Sequence, residues 1–227
     1  MVDSGPVIPP PPVPWAQPAA ASSMRPVPGA PGLEYAGLVP RAAAWLLDGL
    51  LVILIALVPL LILAFAFTSS VVDGLVALLI QGAYFVLGWR SSARGTPGMR
   101  AFKLQIGNID DGVVISSNKA LTRWFALTGW VSVAGLVTAI ASAVNLFALI
   151  WVIVLLATAH SDPRRQGLHD RWTGTAIVRP VGQSDTAAWV TLILLAILPI
   201  LAVIAIIALI FLGAQVSGIL SNVGSSI

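Results

Sequence analysis

The ten residues DPRRQGLHDR, Asp162 to Arg171, decide how this chain folds. Only 9% of the chain is Asp, Glu, Lys or Arg, yet these ten hold five such residues and a histidine, between two apolar stretches. A second polar, basic segment occupies residues 90–123, and an apolar stretch at 124–159 joins the two. One span across 124–159 puts the two polar segments on opposite sides of a bilayer; two spans put them on the same side. A span needs about 20 residues, and 124–159 offers 36. A break at Ala141-Ser142-Ala143-Val144-Asn145 divides it into two short helices.

The basic residues choose between these. Cytoplasmic loops of membrane proteins carry the Lys and Arg excess. With two spans and the N-terminus inside, Arg25 and Arg41 precede the first span. Arg90, Arg94, Arg100, Lys103, Lys119 and Arg123 fall in the first inside loop. Arg164, Arg165, Arg171 and Arg179 fall in the second, which accounts for all 12 basic residues. The outer segments at 68–70 and 141–145 and the tail after 212 carry none. The expected architecture is an all-α membrane protein with a bundle of about five transmembrane helices. Its spans lie at about 42–67, 71–89, 124–141, 145–160 and 187–212, with a short tail at 213–227.

Composition agrees. The chain is 58% hydrophobic over 227 residues, whereas a soluble domain sits nearer half apolar and a quarter charged. The formal charge of +3 therefore reports orientation rather than nucleic-acid binding. The chain has no cysteine and two histidines, His160 and His169, so thiolate chemistry is excluded and no metal or other cofactor is expected. No nucleophile–base pair is visible, and no enzymatic activity is expected.

Ten of the 16 prolines lie in residues 1–32. Proline lacks an N–H and favours extended polyproline II, so this segment reads as a disordered cytoplasmic tail. Its PPPPVP run is either a ligand for an aromatic groove or plain solvated chain. In the first loop Phe102, Leu104 and Ile106 alternate with Lys103 and Gln105, as in a half-buried strand. Asp111-Gly112 signals a turn before VVIS, so a small cytoplasmic β-hairpin or short strands are expected, with GTAIVRP (174–180) able to add to them.

Three features carry candidate chemistry. Asp48 lies in the first span, two helical turns after Arg41, which places both on nearly one face. An acid at that depth is costly and either handles a cation or proton or belongs to a buried ion pair. Asp73, at the outer start of the second span, suits a helix N-terminus. The glycine turn GTPGMR, with Gly95, Pro97 and Gly98, is either a structural turn or a cradle for a phosphate or lipid headgroup. In 162–171, Asp162-Pro163 reads as a helix start. Arg164 and Arg165 read as surface contacts to anionic headgroups, and His169-Asp170 as a pair able to relay protons.

Taken in order, PRAAAWLLDGLLV, GTPGMRAFKLQIGN and DPRRQGLHDRWTGTAIV resemble the RDD family of membrane proteins, over roughly residues 33–180. The family is named for one arginine and two aspartates, matched here by Arg41, Asp48 and Asp170. Met99 stands where such proteins usually carry lysine, and the apolar helix at 187–212 lies outside the usual core. A proline-rich tail ahead of such a domain is similar to actinobacterial proline-rich membrane antigens. The resemblance implies a bacterial cell membrane and links some members to sodium–proton antiport.

Two functions remain open. One is a structural or interaction module in which Arg41, Asp48 and Asp170, joined by Arg165, His169 and Arg100, form a charged clamp at the cytoplasmic side. Its partners would be the lipid bilayer and anionic headgroups, a second copy of the chain, or a membrane partner protein. The other is a small cation or proton transporter, or a transport-associated subunit. Topology is directly testable, because a single Asp162→Cys substitution introduces the only thiol. A membrane-impermeant maleimide should label it only after the bilayer is opened; labelling of intact cells would exclude the five-span arrangement.

Overall fold

The structure, a computed structural model, describes residues 26–30, 32–66 and 69–225. The proline-rich segment up to Arg25, and with it the PPPPVP run, lies outside the described residues. In chain order the elements are β1 (Leu33–Tyr35), α1 (Leu38–Ala66), α2 (Ser70–Arg90), α3 (Pro97–Ala101), β2 (Gln105–Asn108) and α4 (Ser117–Trp124). There follow a π-helical turn (Phe125–Gly129), α5 (Trp130–Gly135), a 3-10 turn (Thr138–Ile140), α6 (Ala141–Ser161), α7 (Leu168–Thr173), β3 (Thr175–Pro180) and α8 (Thr186–Gly224).

Among the described residues, four helices are long and apolar enough to cross a membrane: Leu38–Phe65, Ser70–Arg90, Ser142–Ser161 and Thr186–Asn222. They keep large side chains outward, with Phe65, Leu79 and Leu220 well exposed. A water-soluble monomer rarely shows apolar surface on that scale; hydrocarbon accepts it without cost. The protein is an all-α membrane protein carrying one small sheet.

The expected span at 124–141 is not among these four, and that stretch is built differently. It begins upstream at Ser117, capped by the Ser116 hydroxyl, which accepts the Lys119 N–H. It then passes through the π-helical turn, where the Trp130 N–H reaches back to the Phe125 carbonyl. Trp124 lies along its own helix there, and a Cβ at Gly129 would stand 3.1 Å from its indole, a tight contact that glycine avoids. The break into α6 falls at Leu136–Ile140, not at 141–145. Gly135 and the β-branched Val137 and Thr138 are weak helix formers, whereas Ala141 to Asn145 already belong to α6. The two arms return against each other, and the Trp151 indole N–H donates to the Ala126 carbonyl at 2.8 Å.

The last helix is longer than expected. α8 runs on through residues 213–224, where a tail was expected. Gly213 and Gly218 weaken that stretch, but no proline stops it. At 1.5 Å per residue it reaches about 58 Å, against about 30 Å of hydrocarbon. It packs on α1.

The polar end holds an antiparallel sheet in the order β1-β3-β2, with Ile106 opposite Ile177 and Glu34 opposite Arg179. The expected hairpin is corrected here. The turn exists, with Gly112 at φ +66 and its N–H on the Asn108 carbonyl. Yet 113–116 forms no strand, and β2 pairs instead with β3, the GTAIVRP segment. β2 gains more from β3, because that pairing buries Ile106 and Ile177 in one core with Leu104, Ile115, Phe85, Trp89, Met99 and Trp124. Phe102 caps α3 rather than opening the strand. Residues 26–30 fold back as a turn, bridging Pro26 to Glu34.

The Trp151–Ala126 hydrogen bond and the stacking of Trp151 on Trp172, 5.6 Å between centroids, pin the helical pair to α7. Trp151→Phe should lower unfolding stability in detergent by about 1–2 kcal/mol. Unchanged stability would show that these contacts do not hold the pair.

Candidate functional site

Two carboxylates organise the polar end, and they sit in separate networks. Asp170 is fully buried in the first turn of α7. Its Oδ2 accepts from Arg41 Nη2 on α1 and, at 3.2 Å, from the Gly167 N–H. Its Oδ1 accepts from Arg123 on α4, at 2.7 Å from Nη2 and 3.1 Å from Nε. Arg41 also donates to the Arg165 carbonyl, so Arg165 enters through its backbone. Its side chain donates to the His160 carbonyl at 2.9 Å.

Asp48 takes no part in that network. It is 2% exposed and accepts three hydrogen bonds: from the Tyr84 hydroxyl at 2.6 Å, the Gly98 N–H at 2.7 Å and the Thr96 hydroxyl. Thr96 is also the N-cap of α3 and accepts from Met99 N–H. GTPGMR is thus a capped helix start, and its Gly98 amide is used by the protein's own carboxylate. That removes the reading of the turn as a phosphate cradle. Gly98 is required by proximity: a Cβ there would lie 2.5 Å from the Ala44 carbonyl and 2.6 Å from Asp48 Oδ1. Gly95 packs against the Leu104 carbonyl, and Pro97 opens α3.

Of the residues singled out in the sequence, Arg41, Asp170, His169 and Arg165 come together, whereas Asp48 and the glycine turn form a second group. Arg100 is exposed on α3 and acts on Tyr84 only through its charge. Asp73 lies in the first turn of α2, with one carboxylate oxygen buried and unpaired. Asp162 is not a helix N-cap; it ends α6 and accepts from the Arg164 and Gln166 N–H groups in a turn. It pairs with Arg171 at 2.8 Å. Arg123 was visible in the sequence only as a loop charge. Its signal was its place beside Trp124 at the head of an apolar run. Thr96 was announced by the Thr-Pro step of a helix start, and Tyr84 by a hydroxyl amid apolar residues.

His169 is buried beside Asp170 and Arg123. Burial pushes its pKa down to about 3, with Arg123 and Arg41 adding to the effect and Asp170 opposing it. The expected relay near neutral pH is therefore corrected: burial and two guanidiniums keep the ring neutral. Arg123 Nη2 lies 3.3 Å from His169 Nε2. The same Nε2 lies 3.3 Å from Asp170 Oδ1, and Nδ1 is buried without a hydrogen-bond partner. For Asp170, burial disfavours the charge, but His169, Arg41 and Arg123 outweigh it and hold the carboxyl well below its usual range. Arg123 also lies over the Trp89 ring, 4.3 Å from the centroid, a favourable cation–π position.

Asp48, Arg41, Arg123 and His169 line one cavity of about 240 Å³, whose other walls are apolar side chains of α1 and α6 together with Phe85, Trp89, Met99 and Ile177. Among the described residues there is no cluster of three or more His, Cys, Asp or Glu able to hold a metal.

The RDD family model matches residues 35–174. No curated protein and no solved structure matches the chain.

The histidine makes stability depend on pH with a defined sign. The unfolded ring takes up a proton near pH 6.5 and the folded ring only near pH 3. Its contribution is therefore complete above pH 6.5 and lost as pH falls through that window. Between pH 7.5 and pH 5 the loss should reach about 2 kcal/mol, read as a falling thermal midpoint. His169→Gln should flatten the dependence; an equally steep profile in that variant would assign it elsewhere.

Proposed function

The chain belongs to the RDD family, and on that footing we propose that it is a structural or interaction module of the cell membrane. In this reading it is a multi-pass bacterial protein with its N-terminus in the cytoplasm, and it has no enzymatic activity. Its charged clamp lies at the cytoplasmic side. The observation that carries this is Asp170, fully buried and held by two arginines, one 129 and one 47 residues away. That pairing ties α1, α4 and α7 together, so the surface formed by the sheet and the 162–167 turn keeps one shape. Such a surface, basic at Arg164 and Arg171, suits anionic headgroups, a second copy or a membrane partner protein.

A second reading, a cation or proton transporter, is favoured by Asp48. Among the described residues no arginine or lysine bonds to this carboxylate; three neutral donors hold it on a cavity wall. Beyond it a second cavity of about 660 Å³ lies between α1, α2 and α5, where Ser132 donates to Gln81 at 3.0 Å. Gln81 is one helical turn from Tyr84, so polar groups approach Asp48 from that side as well.

One set of variants separates the readings. Asp170→Asn removes the sole carboxylate between two buried guanidiniums and should cost about 3–5 kcal/mol. Asp48→Asn replaces an accepting oxygen with an NH2 donor that faces other donors and should cost about 1–3 kcal/mol. Reconstituted vesicles are then assayed for sodium- or potassium-driven pH change. Under the module reading, wild-type protein gives no flux above empty vesicles. Flux that Asp48→Asn abolishes establishes the transporter instead.

A further inference from the structure

We propose that the cavity between α1 and α6 is a binding site for one anionic membrane phospholipid, which lays an acyl chain between the helices and its headgroup against Arg41 and Arg123. Two independent observations support it. The first is shape. The cavity's apolar wall is built by Ala42, Trp45 and Leu46 of α1 and by Val152, Leu155 and Leu156 of α6. Trp45, Leu46 and Leu156 are each 40–44% exposed, so the site opens sideways, toward where lipid lies. Apolar cavities of about 150 Å³ already take up a benzene-sized guest, and this one has about 240 Å³.

The second is charge. At the cavity's polar end two guanidiniums face one carboxylate, and His169 is neutral at physiological pH. The buried cluster thus keeps one positive charge in excess. Asp48, on the same wall, is engaged by Tyr84, Thr96 and Gly98. An anion with an apolar chain answers both; a free inorganic anion answers only the second. The site stands whether or not the protein transports ions.

The test uses full-length protein in phosphatidylcholine vesicles containing a small fraction of phosphatidylglycerol with a diazirine on one acyl chain. Illumination and peptide mapping should place the label on residues 45–46 and 152–156, at least fivefold above the label on α8, which reports ordinary lipid contact. A phosphatidylcholine probe with the same chain should label this site at least fivefold less. Val152→Phe, which fills the cavity away from the charges, should abolish the site label and leave the thermal midpoint unchanged. Equal labelling by the two probes would overturn the anionic headgroup, as would labelling that survives Val152→Phe overturn the cavity. Labelling no stronger than on α8 would overturn the site altogether.

Discussion

A carboxylate removed from water must be compensated on the spot, and Asp170 is where this protein meets that demand with opposite charge. Several kcal/mol of desolvation are offset only by close, well-aligned donors. Arg41 and Arg123 provide them from helices that are distant in sequence. The position of α7 follows, because its first turn must present Asp170 to both arginines. β3 leaves α7 at Gly174, whose φ of +59 turns the chain. The sheet is thus built outward from the same point. Between its central strand β3 and outer strand β1 the solution is repeated on a smaller scale, with Arg179 held by Glu34 and by Asp185.

Asp48 meets the same demand with neutral donors. A hydroxyl, a phenol and a backbone N–H converge on it from α2 and α3. The close approach of α3 to α1 depends on Gly98, since any side chain would strike the Ala44 carbonyl. The two acids therefore anchor different joints: Asp170 joins α1, α4 and α7, and Asp48 joins α1, α2 and α3. One helix, α1, carries a member of each. Between the joints lies the cavity, roofed by apolar side chains and floored by charge.

Much of this was legible in the residues. Apolar runs located the long helices, and the first two and α6 to within a few residues, because burying or exposing hydrocarbon is a property of the run itself, whereas α8 runs twelve residues past its expected end. Arg41, Asp48 and Asp170 stood out because charge is scarce here. The sheet was half legible: GTAIVRP was recognised as a strand, while the local turn at Asp111-Gly112 suggested a partner that tertiary packing replaced. The helical pair at 117–161 was recognisable by length, yet its π-helical turn was not, since that depends on how one indole fits against Gly129 and Gly82.

The sequence by itself determined the membrane class, the polar and apolar segments, and the few buried charges that need partners. These follow from solvation, which each residue or run carries with it wherever the chain goes. Only the tertiary structure decided the partners. It separated Asp48 from Arg41 although they share a helix face, brought Arg123 onto Asp170, and buried His169 with its Nδ1 unpaired. Such pairing depends on distances of a few ångströms between segments up to 129 residues apart, and no local pattern encodes those.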